Sequence, residues 1–229
     1  MLILALDTTT TAGSCALVRD HRVVGEAPSD RGRPQAARLP GELAALLEAT
    51  GVALQDIDAF AVGTGPGSFT GLRVGIATMQ GLAVAAAKPL FGVSALDALA
   101  RLAPGGSDRI RPARVATWVD AWRGEVYGAL YEDGREVEPP IVAHPEALLR
   151  RLAGRPTLFT GDGAVAHDAV IRAGLGDDAR FADPVAPLLA GAMGEIAAEG
   201  FQAGQRPSPD AIRPVYVRRP DAELARDRA

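Results

Sequence analysis

Apolar residues fall into short runs of two different periods, and the order of those runs predicts the fold. Residues 2 to 6, LILAL, are an unbroken apolar run that stops at Asp7, as a buried strand does. SCALVRD and RVVGEA read as two more strands joined by a short turn near Asp20 and His21. From Ala36 to Thr50, Leu39, Leu43, Leu46 and Leu47 recur at helical spacing, with Gly51 just past the end as a stop. DIDAFAV is the next expected strand. GTGPGSFTGLRVG, residues 63 to 75, then places five glycines between that strand and a helix-like run, LRVGIATMQGLAVAAA.

The second half repeats the order. VATWVD is a strand ending in Asp120, GEVYGALYED a second, and REVEPPIV a third after the Asp133-Gly134 turn. Helix-like HPEALLRRLAG follows, with Glu146 in its first turn and Arg150 and Arg151 in its last. TLFT then leads into Gly161-Asp162-Gly163, and a helix is expected over APLLAGAMGEIAAEG. Two halves of one layout, each with an acid at the tip of its first strand, predict a duplicated α/β fold in which Asp7 and Asp120 are equivalent. The proline- and glycine-rich RLAPGGSDRIRP marks the boundary between them. The expected units are an N-terminal domain over 1–102, a C-terminal domain over 103–219 whose last helix can pack back on the first, and a disordered tail over 220–229.

Composition narrows the function. No segment reaches the ~18 uninterrupted apolar residues of a membrane span, and the start lacks a basic region, so a cytoplasmic protein without membrane partners is expected. Cys15 is alone, which excludes an intramolecular disulfide and a cysteine-based zinc site. The net charge of −4 argues against strong unaided nucleic-acid binding. Arginines gather at Arg109, Arg111, Arg114 and Arg123, and again at Arg213, Arg218 and Arg219, and read as solvated surface. Lys88 is the sole lysine and Pro89 follows it, so a G-x-x-x-x-G-K-[ST] phosphate loop is excluded.

The glycine loop, Gly63, Gly65, Pro66, Gly67 and Ser68, fits neither of two familiar chemistries. As a dinucleotide fingerprint it has Ser68 or Thr70 where the third glycine belongs. As a nucleophile elbow it has Pro66 and Thr70 in place of the two glycines of G-x-S-x-G. Ser68 is more simply a helix N-cap. Gly71, Gly75 and Gly81 each cost about 1 kcal/mol inside a helix. Gly71, Gly75, Thr78 and Leu82 share one face nearly bare of side chains at one end. Such a face admits close approach of another backbone, either the protein's own sheet or a helix of a partner subunit.

LALDTTTTAGSCAL, GTGPGSFTGLRVGIATMQGLA, VDAWRGEVY and RPVYVR, in that order, resemble the bacterial TsaB (YeaZ) family over residues 2 to about 219. The resemblance implies a two-domain actin/Hsp70/hexokinase-like fold with duplicated mixed sheets flanked by helices. It implies a non-catalytic scaffold in the formation of threonylcarbamoyladenosine at position 37 of tRNA, pairing with the catalytic paralogue TsaD and with an ATPase partner, TsaE. An apolar helix surface awaiting a partner self-associates, so a homodimer is expected when the chain is alone, with tRNA contact only through the complex.

GVSALDALA is similar to the TsaD segment that carries an H-x-x-x-H metal pair, but Ala95 and Leu99 stand at the two places and cannot ligate a metal. No catalytic residue and no metal site are expected. On this reading Gly71, Gly75, Thr78 and Leu82, with Leu39, Leu43 and Leu46 of the neighbouring helix, form the docking surface. Asp7, Thr8 and Thr9 stand where relatives of this fold cradle phosphates, a vestigial ion or nucleotide site here, since Trp122 crowds the second hairpin. The subunit would require no cofactor of its own, although ADP or ATP could sit at an interface shared with its partners. Pro34-Gln35-Ala36 replaces a histidine found in many relatives, so no contact role is carried over there. The alternative is an ATP-dependent small-molecule kinase of the same fold, with Asp7 and Asp120 handling magnesium and the acceptor hydroxyl.

Overall fold

The computed structural model describes residues 1–30, 32, 34–103 and 114–218. One sheet comprises β1 (Leu2–Asp7), β2 (Ser14–Arg19), β3 (Arg22–Pro28), β4 (Ala59–Gly65) and β5 (Leu90–Ser94). The other comprises β6 (Arg114–Asp120), β7 (Val126–Glu132), β8 (Arg135–Ala143), β9 (Thr157–Thr160) and β10 (Ala179–Phe181). Their lateral orders, β3-β2-β1-β4-β5 and β8-β7-β6-β9-β10, are the same order twice. In each, three antiparallel strands are extended by two parallel ones beside the first. Asp7 and Asp120 therefore end the central strand of their respective sheets, as the duplicated pattern predicts. The hairpin turns follow from residues that tolerate positive φ: Asp20 and His21 in the first sheet, Asp133 and Gly134 in the second.

Seven α-helices flank the sheets among the described residues: α1 (Gln35–Thr50), α2 (Phe69–Ala86), α3 (Ala95–Leu102), α4 (Pro145–Leu152), α5 (Asp162–Ala166), α6 (Asp168–Leu175) and α7 (Ala190–Gln202). One face of the first sheet is large and apolar, with Leu4, Leu6, Leu17, Phe60 and Val62 packing on Leu39 and Leu43 of α1 and Ile76 and Met79 of α2. The other face is small, with Ala5, Ala16, Ala59 and Ala61 packing on α7. That smallness lets α7 lie close: a β-carbon on Gly194 would come within 2.5 Å of Val18 Cγ2.

The two halves interlock. Helix α3 leaves the first sheet and packs Leu96 and Leu99 on Val115, Val119 and Tyr127 of the second, while α7 returns to the first. Arg101 of α3 pairs with Glu195 and Glu199 of α7, and Tyr131 donates to Asp97 at 2.6 Å. Helix α2 has the length and mean hydropathy, 1.2 over 18 residues, to cross a membrane. Here its Leu72, Ile76, Met79 and Ala83 are buried within the protein.

The structure corrects several boundaries. The strand expected over DIDAFAV begins only at Ala59, because Leu54–Asp56 form a 3-10 turn and Asp58 turns back to accept the Leu2 amide at 2.8 Å. It also runs on into the glycine loop as far as Gly65. The last helix starts at Ala190 rather than Ala186, and the Ala190 amide is held by Ser14 Oγ of the first sheet. Strands β5 and β10 and helices α3, α5 and α6 have no counterpart in the sequence reading. Most of the expected boundary segment and the expected tail, residues 104–113 and 219–229, lie outside the described residues, and Arg109, Arg111 and Arg219 with them.

Candidate functional site

The tip of β1 is built around a buried carboxylate. Asp7 Oδ1 accepts the Thr9 amide at 2.7 Å and the Thr9 hydroxyl at 2.6 Å, and Oδ2 accepts the Thr10 hydroxyl at 2.8 Å. Burial holds its pKa above the usual carboxylate value, outweighing those bonds, which favour the charged form. Thr8 and Thr9 are fully buried, and Thr8 donates to the Gly71 carbonyl at 2.8 Å. The hydroxyls and the amide expected to face a phosphate are thus turned inward onto the protein's own groups.

The glycine loop exists to receive that hairpin. A β-carbon on Gly67 would lie 2.2 Å from the Thr9 carbonyl oxygen, and one on Gly63 2.7 Å from Thr9 Cγ2. The Ser68 amide donates to the same Thr9 carbonyl at 2.8 Å. Gly65, at φ 113, passes under the C-terminal strand-like stretch, where a β-carbon would meet the Val215 carbonyl at 2.9 Å. Ser68 accepts the Gly71 amide at 3.2 Å and is the N-cap of α2, as its position in the loop suggested.

The docking surface drawn from helical spacing needs redrawing. Gly71 and Gly75 are buried, and a β-carbon on Gly75 would lie 2.2 Å from Thr8 Oγ1. Of the two readings left open, the glycines at this end of α2 serve contact with the protein's own hairpin. Leu39, Leu43 and Leu46 are core residues. One turn further along, the surface is different. Pro40, Leu43, Ala44 and Leu47 of α1, Leu54, and Ala77, Thr78, Gly81 and Leu82 of α2 line an apolar groove of about 430 Å³. No other segment comes within 4 Å of where a Gly81 β-carbon would sit. Thr78, Leu82 and Leu43 from the original set belong to this groove; Pro40, Leu47, Leu54 and Gly81 were missed as members of it. Gly81 was visible in the sequence as a costly helix glycine, but only its open surroundings separate it from Gly75.

A third carboxylate bridges the two hairpins. Asp162 at the start of α5 accepts the Asp120 amide at 3.0 Å and the Thr11 amide at 3.4 Å. Burial chiefly raises its pKa, with the Asp120 and Asp7 charges adding to the shift. Among the described residues no group of three or more His, Cys, Asp or Glu side chains is arranged to hold a metal ion. Ala95 and Leu99 lie in the core at 0% and 1% exposure.

Comparison with known proteins places this architecture. A family model described as TsaD, tRNA N6-adenosine threonylcarbamoyltransferase, matches residues 18–156. The Escherichia coli tRNA threonylcarbamoyladenosine biosynthesis protein TsaB is 32% identical over 239 residues, covering 95% of this chain and 95% of that protein. YeaZ from Pseudomonas aeruginosa superposes with a TM-score of 0.77 at 32% identity, over 94% of this chain and 99% of its own. Component A of the (R)-2-hydroxyglutaryl-CoA dehydratase of Acidaminococcus fermentans, at TM-score 0.56 and 11% identity over 90% of this chain and 100% of its own, shares the fold alone. The fold is the duplicated actin-like one. Within it, the chain belongs to the TsaB (YeaZ) family.

Proposed function

We propose that this chain is a non-catalytic scaffold subunit in the formation of threonylcarbamoyladenosine on tRNA, docking the catalytic paralogue TsaD through the α1/α2 groove. The observation that carries the reading is the groove itself: apolar, unfilled, and bordered by Gly81, a helix glycine whose cost the monomer's own packing does not explain. The buried alanine and leucine at positions 95 and 99 support a subunit that leaves metal chemistry to TsaD. In the same reading the ATPase TsaE joins the pair, tRNA is met only through the complex, and the groove supports a homodimer when TsaD is lacking. Any ADP or ATP belongs to an interface shared with those partners, and the assembly works in the cytoplasm.

The kinase alternative meets an obstacle in Asp7, whose two oxygens are already engaged by Thr9 and Thr10. Light-scattering chromatography of this protein with TsaD tests the proposal. A mixed species that Gly81→Leu abolishes supports it; two unchanged peaks with the wild-type protein overturn it, and micromolar binding of ATP and magnesium by the isolated chain would bring the kinase reading forward.

A further inference from the structure

Residues 203–218 form a strap laid along α2, antiparallel to it. The Leu90 amide donates to the Pro207 carbonyl at 3.2 Å, and Gln80 Nε2 donates to the Pro209 and Ile212 carbonyls at 2.8 and 3.2 Å. At the far end Arg73 Nε donates to the Tyr216 hydroxyl at 3.1 Å. These anchors set the order of the cations. Arg206 and Lys88 fall at one end of the helix, Arg213 beside Gln80 in the middle, and Arg73 at the other end. From Arg73 to Ala86 the helix rises about 20 Å.

The charge along this ridge is not cancelled. Helix α2 contains no acid, and Asp210 is the only one in the strap. Asp210 accepts from the Ser208 hydroxyl and stands near Arg213, and Arg218 is paired with Glu125. Among the described residues, Arg73, Lys88, Arg206 and Arg213 form no ion pair. Four cations against one acid leave a local excess of three positive charges on a chain whose total is −4.

The guanidinium groups are also held in place. Arg206 lies 3.5 Å over the Phe201 ring and donates from Nη1 to the Phe201 and Gln205 carbonyls at 2.8 and 2.7 Å. Arg213 Nη1 donates to the Asp210 carbonyl and, at 2.9 Å, to that of Ile212. Arg73 lies 3.9 Å over the Phe69 ring. Rings and carbonyls fix these side chains without neutralising them, so little further ordering is needed when an anion arrives.

A row of fixed cations about 20 Å long suits a polyanion better than one small anion, since phosphates recur every ~3.4 Å along each strand of a duplex. The ridge also borders the docking groove. Gln80, Gly81, Val84, Ala85, Asp210 and Arg213 line one open surface, and Gly81 belongs to the groove as well. We propose that the ridge formed by α2 and the strap contacts the sugar–phosphate backbone of an RNA. The inference rests on the reading of this chain as a tRNA-modification subunit and names where that RNA touches it. Three or four phosphate contacts on an acidic chain give weak binding alone, so the ridge acts beside a subunit that also holds the RNA.

Fluorescence anisotropy of a labelled tRNA, titrated across salt concentrations with the full-length protein alone and premixed with TsaD, tests this. Light scattering on the same mixtures reports pairing, and thermal melts verify that each variant is folded. Arg206→Gln combined with Arg213→Gln should weaken binding roughly tenfold at low salt and lower the slope of log affinity against log salt by about two. Replacing both by lysine should retain the slope. Arg150→Gln with Arg180→Gln removes the same charge from exposed positions of the second half and should change neither quantity. Equal losses in that control pair would overturn the ridge as a site, as would an affinity and slope unchanged in the ridge variant. Ridge variants that lose pairing with TsaD but keep tRNA binding by the isolated chain would also overturn it, identifying an acidic protein surface as the occupant. If TsaD does not pair with the wild-type protein, the docking proposal fails, and the titration of the chain alone at low salt still decides on the ridge.

Discussion

Thr8 and Gly75 are packed against each other with no room to spare. The hydroxyl of Thr8 bonds the Gly71 carbonyl at 2.8 Å, and a β-carbon on Gly75 would lie 2.2 Å from that hydroxyl oxygen. The hairpin of β1 and β2 is thereby seated on the first turns of α2. A glycine that looks from the sequence like part of an intermolecular face is an internal contact.

Gly75→Leu is accordingly expected to damage the fold itself. Overpacking of a buried site costs about 1–3 kcal/mol, and here the displaced group also loses a buried hydrogen bond worth about 1 kcal/mol. Urea titration should show the midpoint falling well below wild type. An unchanged midpoint would mean that the Thr8 contact is not formed in solution.

Gly81 should behave in the opposite way. With open space around it, Gly81→Ala is expected to stabilise the isolated chain by roughly 1 kcal/mol through helix propensity alone. Gly81→Leu should leave the monomer folded and abolish association with TsaD. Loss of association without loss of stability, read by melting and light scattering on the same preparation, separates this glycine from Gly75.

Glu42 fixes the start of α1, one wall of the groove. Its carboxylate pairs with buried Arg38 at 2.9 Å and accepts from the Ser29 hydroxyl at 2.9 Å and the Asp30 amide at 2.8 Å. Glu42→Ala strands the Arg38 guanidinium at 6% exposure, which should cost about 3 kcal/mol in stability. Glu42→Gln, which keeps the acceptor oxygen, should cost less. Equal losses for the two variants would show that the negative charge, which both remove, holds Arg38 rather than an acceptor oxygen, and no loss in Glu42→Ala would overturn the account.

Asp7 gives stability a pH dependence of known sign. A carboxyl whose folded pKa lies above the unfolded value near 3.8 contributes stability fully at pH below that value, and loses it as pH rises through the folded pKa. Asp7→Asn removes that contribution. It also lowers the pKa values of Glu26 and Asp162, which the Asp7 charge helps to raise. Wild-type stability minus that of Asp7→Asn should therefore fall as pH rises from about 4 towards neutrality, measured by urea titrations at several pH values. A difference that grows over that range would contradict a buried, raised Asp7.

Much of the fold is legible along the chain because strand period, helix period and turn residues are local properties. LILAL ending at Asp7 and VATWVD ending at Asp120 disclose the duplication before any coordinate, and Ser68 can be read as an N-cap from its place between loop and helix. Strands β5 and β10 escape because they are short, five and three residues respectively, too few for a period to emerge. The exchange of α3 and α7 between sheets leaves little local trace. It depends on which small residues face one another, Gly194 on Val18 and Ala5, across most of the chain.

The sequence by itself determined the strand–helix order, the repeated α/β halves, the lack of a P-loop lysine and the presence of an aromatic-poor, acidic chain with costly helix glycines. Tertiary structure alone decided which of those glycines face inward and which stand open, since Gly75 and Gly81 look alike until Thr8 is seen against the first and empty space beside the second. It alone laid Arg206 and Arg213 along α2, in line with Lys88 and Arg73 from a distant part of the chain. Periodicity reports which side of an element is apolar; what lies against that side is set by contacts between residues far apart in sequence, which no local pattern encodes.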